Sequence, residues 1–292
     1  MFKDNKGSFF AFDLIIGIFI FIIAIALINN LTSDINEKVS DNLEDNHLEK
    51  ISIEAIDNLI NNPGSPNNWE NLTNYNNVLT GLAIINNDNK TIKNSISYDK
   101  IKTLENSYDT LISKNIFNNK VKSSITLTPI NSDIPQSVYG NTDESRNVYS
   151  IHRFVVCDYL LKYVIEDFNN HNCNKHHTNT SCGSFSIYNS YLENFDYYLL
   201  VDKKHVNNLY FSIDDTKNLN NDLKLINDEK TYLNNLISDN LKSNSSGIFF
   251  IHLNEDNADA VLVAIPKDIE DEYLFYDYFR LNKCELVFKT WY

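Results

Sequence analysis

The sequence predicts an α+β fold: a long N-terminal helix, membrane-spanning in its first half, packed on a mainly antiparallel sheet. Three observations predict it. Ser8–Ile28 is an almost uninterrupted apolar run. An amphipathic pattern continues from Ile35 to about Ile60. Short segments of alternating apolar residues, separated by polar turns, then recur from residue 118 to the end.

The apolar run reads SFFAFDLIIGIFIFIIAIALI, with Asp13 its only charge. As a helix it would span about 31 Å, which matches the hydrocarbon thickness of a bilayer. Ile and Phe occur all round its surface, as suits a helix in lipid. Lys3 and Lys6 precede it, while Asp34 and Glu37 follow. A positive flank stays inside, so the N-terminus is expected in the cytoplasm and residues 32–292 outside. A cleaved secretory signal would end in small residues, whereas this run ends in Ile28-Asn29-Asn30-Leu31. The anchor is therefore expected to be retained after the apolar run. Asp13 either sits at headgroup depth or meets a cation in a partner, because a carboxylate at this depth is costly when unpaired.

Beyond the membrane, Ile35, Val39, Leu43, Leu48, Ile51, Ala55 and Leu59 share one helical face. Asn61-Asn62-Pro63-Gly64 stops the helix. Residues 77–85 read as a short strand or turn. Ser97 is a candidate cap for a helix through Asn115, with Lys100 at the third position after it and Ile101, Leu104, Tyr108, Leu111 and Ile112 inward. A strand is expected over 118–130 and loops over 131–147 and 169–184; 148–167 is read as a strand. Further strands are expected at 195–202, 207–213, 247–254, 259–265 and 284–291. A helix is expected over 216–242, with Leu219, Leu223, Ile226, Leu233 and Ile237 inward. The domains are thus a leader at 1–7, a membrane helix at 8–31, its continuation at 32–62 and a soluble domain at 63–292, with a second lobe from about residue 150.

Of the 292 residues, 42 % are hydrophobic and 12 % aromatic, enough for a substantial core. The net charge of −14, with no basic stripe, argues against a nucleic-acid partner. The abundant Asn reads as the mark of a genome rich in A and T. It also accounts for the glycosylation sequons at Asn30, Asn71, Asn89, Asn179 and Asn244, which need no enrichment.

The densest candidate for chemistry is His171-Asn172-Cys173-Asn174-Lys175-His176-His177, followed by Cys182. A surface loop closed by a Cys173–Cys182 disulfide, a Zn²⁺ site and unpaired thiols are the alternatives; the disulfide is preferred, because the spacing matches no standard zinc motif. Cys157 and Cys284 lie in apolar stretches, either as a second disulfide or as buried thiols. Glu255, Asp256 and Asp259 cluster in a turn, a solvated acidic turn before a Ca²⁺ site. The acidic run Asp268–Glu272 reads as solvated. The Tyr-rich segments 188–198 and 273–279 offer contact area or core. His152, His205 and His252 stand apart in sequence from recognised partners. No phosphate loop, dinucleotide-binding glycine pattern, nucleophile elbow or zincin motif is present, so no catalytic residue, cofactor or metal is expected and the chain is not read as an enzyme.

Lys6-Gly7-Ser8, the acid at Asp13 and the apolar run behind them resemble the class III signal peptide of archaeal type IV pilin-like proteins. The resemblance implies cleavage between Gly7 and Ser8 by a prepilin-type peptidase on the cytoplasmic face. It implies a role in assembly for Asp13, neutralising the N-terminal amine of a neighbouring pilin-like subunit. Asp13 would be the sixth mature residue, and the first is Ser. Further along, Pro63-Gly64-Ser65-Pro66-Asn67-Asn68-Trp69, Gly81-Leu82-Ala83, a helix opening near Ser97 with Lys100 and Leu104, and a final strand closing on Trp291 are similar to a poorly characterised group of such proteins. The resemblance implies a membrane-anchored surface protein, a minor subunit of a filament. Two other readings are a signal-anchored extracellular binding protein that does not polymerise and a metal-dependent extracellular enzyme using the 171–182 cluster.

Overall fold

The computed structural model describes residues 6–86, 88–143, 147–170, 180–214, 223–241 and 244–292. It is α+β, with mainly antiparallel sheets and one apolar helix at its N-terminal end. The chain forms two compact units that meet in sequence between Glu54 and Ala55, and helix α1 (Lys6–Asn61) runs through that boundary.

In the first unit, Ile16–Ser33 is long and apolar enough to cross a membrane, and none of it is buried. Within it the Thr32 hydroxyl is satisfied locally, donating to the Ile28 carbonyl at 2.8 Å.

The second unit begins with the last turns of α1, where Ala55, Ile56, Leu59 and Ile60 are buried. There follow β1 (Ala83–Ile85), β2 (Thr91–Ile96), α2 (Tyr98–Tyr108), a π-helical turn at Asp109–Lys114, β3 (Lys122–Pro129), β4 (Ser137–Gly140) and β5 (Tyr149–Cys157). Then come β6 (Val164–Asp167), β7 (Ser181–Tyr188), the single turn α3 (Tyr191–Asn194), β8 (Phe195–Val201), β9 (Tyr210–Asp214), β10 (Lys224–Leu225) and β11 (Lys230–Tyr232). Helix α4 (Asn234–Leu241), β12 (Ser246–Leu253), β13 (Ala260–Pro266) and β14 (Asn282–Trp291) complete the chain.

Two lobes result. The host lobe is a six-stranded sheet in the order β1-β2-β5-β14-β3-β4, antiparallel except for β2 beside β5. On β14, Cys284, Leu286 and Phe288 point into the core, while Lys283 is exposed and Glu285 and Val287 are half-buried. Phe117, from the turn after α2, stacks on Phe288 at 6.1 Å and sets the helical layer against the sheet. The second lobe, residues 158–281, is inserted between β5 and β14, which are neighbours in the host sheet. It contains two four-stranded sheets, β10-β9-β12-β7 and β11-β8-β13-β6. Phe185 and Phe249 of the first and Tyr197 and Leu199 of the second share one apolar cluster, so the sheets pack face to face. Phe185 stacks on Tyr197 at 6.0 Å across them.

Several expectations are corrected. The helix over 216–242 is replaced, among the described residues, by β10, β11 and the shorter α4. The Asn234 side chain accepts the Tyr197 N–H at 2.8 Å and donates to the Phe195 carbonyl, pinning the start of α4 to β8. The loop over 131–147 contains β4, and of the loop expected over 169–184 the residues from Ser181 belong to β7, while 171–179 lie outside the described residues. The 148–167 strand is broken after Cys157 by a turn at Leu161–Tyr163. The helix opening at Tyr98 has no Ser97 side-chain cap; Asp158 accepts the Tyr98 N–H at 2.7 Å instead. The 273–279 segment is largely core, with Tyr276, Tyr278 and Phe279 buried, whereas Tyr188 and Tyr191 are exposed.

Candidate functional site

The motif residues scattered along the first half of the second unit converge on one knot where α1 ends. Gly64 has φ +86°, and a Cβ there would lie 2.5 Å from Trp69 Cδ1. A Cβ on Gly81 would lie 2.2 Å from the Asn62 carbonyl oxygen, so both positions require glycine. Trp69 is fully buried and donates from Nε1 to the Gly81 carbonyl at 2.8 Å. The buried Lys100 ammonium donates to the Pro63 carbonyl at 2.6 Å and the Ala83 carbonyl at 3.2 Å. Burial pulls the pKa of Lys100 below its ordinary value, partly opposed by Glu70 and Asp158. These residues close the exit from the helix by backbone capture. They offer no chemistry to a substrate.

A cleft of about 370 Å³ opens where the lobes meet. One wall is the first turn of α2, with Tyr98, Asp99 and Lys102, together with Leu160, Lys162 and Tyr163 at the entrance to the inserted lobe. The other is the stretch after β13, with Pro266, Asp268, Ile269, Glu270 and Tyr273. Lys162 holds both Asp99 oxygens at 2.7 Å and lies 5.2 Å from the Tyr163 ring centroid. Lys102 lies 5.6 Å from that of Tyr273. Behind the Tyr98 wall, burial pushes the Asp158 carboxyl up to about 6, against the lowering effect of the Tyr98 N–H. The acidic run 268–272, read from sequence as merely solvated, thus supplies one lip of a cleft.

The three histidines that stand apart in sequence are partnered in space. His152 Nδ1 is 2.8 Å from Glu285. The buried His205 lies 3.2 Å from Glu255 and accepts the Asp259 N–H at Nε2, at 3.4 Å. Lys204 pairs with the Asp259 carboxylate, which Asn169 also reaches at 2.6 Å. Burial disfavours ionisation of Asp259, but Lys204 outweighs it and holds the carboxyl below its usual range. The acidic turn of Glu255 and Asp259 is therefore engaged by side chains of this chain. His252 Nδ1 is 3.1 Å from Cys182 Sγ, on facing positions of β12 and β7. Sequence reasoning missed this pair, and recognising β7 would have placed the two residues opposite each other. Cys173 and the histidines at 171, 176 and 177 lie outside the described residues, so the Cys173–Cys182 pairing does too. Cys157 and Cys284 are buried free thiols, and burial pushes the pKa of both up, disfavouring the thiolate form. Among the described residues no three His, Cys, Asp or Glu side chains are grouped as a metal requires.

Lys6, Gly7, Ser8 and Asp13 fall within the backbone span of α1, and their side chains lie outside what is described. No protein family, curated protein or solved structure matches the chain.

Proposed function

We propose that the chain is a pilin-like, membrane-anchored cell-surface protein, a minor subunit of a type IV pilus-like filament. The observation that carries this reading is the order Lys6-Gly7-Ser8, Asp13 and an apolar helix directly behind them. In this reading a prepilin-type peptidase removes residues 1–7, the helix from Ser8 holds the protein in the cell membrane and residues 32–292 stand outside. Asp13 then neutralises the amine of a neighbouring subunit, because two opposite charges at low dielectric are less costly paired than alone. The N-terminal helix and the antiparallel sheets of the second unit are compatible with that layout.

The mature N-terminus of the membrane-bound protein tests it. A start at Ser8 supports the pilin-like reading, and a start at Met1 with the anchor retained overturns it. Asp13→Asn should abolish recovery in sheared filament fractions while leaving membrane insertion intact. The cleft between the lobes favours a second reading, a signal-anchored extracellular binding protein that does not polymerise. For such a protein Asp13→Asn changes nothing.

A further inference from the structure

We propose that the cleft between the lobes binds a neutral saccharide unit. The inference stands on the second unit alone and does not depend on the anchor or on assembly.

Volume and position come first. About 370 Å³ falls at the small end of ligand sites, which run roughly from 300 to 1,000 Å³ and favour junctions between packed bodies. Both lobes contribute a wall, so the cleft exists only where the inserted lobe meets its host.

Charge then narrows the ligand. The lining carries Lys102 and Lys162 against Asp99, Asp268 and Glu270, a sum of −1. Lys162 is neutralised by Asp99. No positive excess is left to hold a phosphate or a carboxylate. A cationic ligand would have to displace ammonium groups that already lie over the Tyr163 and Tyr273 rings. A lipid chain would have to strip water from five charged side chains in the lining.

A sugar ring meets each of these groups in kind. Its hydroxyls donate to the carboxylates of Asp268 and Glu270, which make no ion pair among the described residues. Its ring oxygen and hydroxyls accept from the Lys102 ammonium. Its apolar C–H face finds apolar surface on Pro266 and Ile269, beside the Tyr163 and Tyr273 side chains that also line the cleft. The Tyr98 wall is fixed by ring contact with Tyr159, whose centroid is 4.8 Å away. A fixed wall lowers the ordering cost of holding a weak, polar ligand.

The test uses the full-length chain in lipid nanodiscs, because detergents with sugar headgroups would compete. Saturation-transfer NMR is run with the methyl glycosides of glucose, galactose, mannose and N-acetylglucosamine, then with their linear oligomers. At least one should receive saturation, and Tyr163→Ala and Tyr273→Ala should each weaken it by about tenfold. Asp268→Asn combined with Glu270→Gln alters only exposed carboxylates and should abolish binding without disturbing the fold, checked by circular dichroism. Tyr188→Ala, an exposed tyrosine outside the cleft, should leave binding unchanged. Transfer to methyl glycosides identifies free sugars as sufficient ligands; transfer to oligomers alone identifies the end of a longer glycan. The proposal is overturned by no transfer to any probe at roughly 10 mM, where even weak sites fill. It is equally overturned by transfer that survives both tyrosine variants and the double acid variant, or by preferential binding of inorganic phosphate or tetramethylammonium.

Discussion

The host lobe and the inserted lobe solve the same problem by different means. In the host, the inner face of the six-stranded sheet is covered by helical turns, and the chain entering it is held by buried polar capture of backbone at Trp69 and Lys100. In the insert, one sheet covers another, and the shared cluster is almost wholly aliphatic and aromatic. The insert's core depends on packing volume, with backbone capture by Asn234 at its edge, whereas the host holds its incoming chain by directional bonds whose loss leaves buried carbonyls unpaired. The two respond to different substitutions.

The largest effect should come from Phe249→Ala, which empties a site 1 % exposed at the centre of the inserted core. A loss of about 3–5 kcal/mol is expected in denaturant unfolding. Hydrogen exchange should rise in β7, β8, β12 and β13 while β3 and β14 keep their protection. Equal loss of protection in both lobes would break the comparison, because it would make them one cooperative unit.

Lys100→Met should cost about 2–3 kcal/mol, since it leaves the Pro63 and Ala83 carbonyls without their donor. Here exchange should rise around residues 79–83 and not in the sandwich. A cost below about 0.5 kcal/mol would show that the knot is ornamental to stability.

Asp158→Asn should stabilise the protein. Its carboxyl titrates near 6 when folded, above the value of about 4 in an unfolded chain. Below pH 4 it is protonated in both states and contributes nothing. As pH rises from about 4 to 6 the unfolded chain ionises more readily, so stability falls and then stays lowered. The Asn variant escapes this and should gain about 2 kcal/mol at pH 7.5, allowing for the partial exposure of the side chain, with no gain at pH 4. Thermal melts at the two pH values decide it, and a gain independent of pH would exclude the ionisation as its source.

The smallest effect belongs to Arg153→Gln, which removes a half-exposed pair with Asp57 at 3.0 Å. Unfolding in urea should show a loss of about 0.5–1 kcal/mol that disappears in about 1 M salt.

Much of the fold was legible where local pattern and burial agree. The all-apolar β13, the alternating β14 and the stop at Asn61–Gly64 lie close to where periodicity puts them. The errors have distinct causes. In 216–242, Leu223, Ile226, Leu233 and Ile237 recur with helical spacing, yet Lys224–Leu225 and Lys230–Tyr232 pair with β9 and β8, and Leu223 is exposed. Tertiary pairing overrode local propensity. Strand β7 hides because its outward positions are small and polar: Ser184 and Ser186 alternate with buried Phe185 and Ile187. The cleft could not be read at all. Tyr98, Lys162 and Tyr273 belong to three separate stretches, and only the insertion of one lobe into another brings them together.

That insertion also sets an order of events. Strand β14 lies in the middle of the host sheet, between β5 and β3, yet it follows every strand of the sandwich in the chain. During vectorial synthesis, the guest has all its strands before the host has its central one. β5 must wait with one edge unsatisfied, and an edge of that kind recruits whatever strand reaches it first. The passenger is finished before the vehicle that carries it, and the final ten-residue strand closes the sheet around both ends of the insertion.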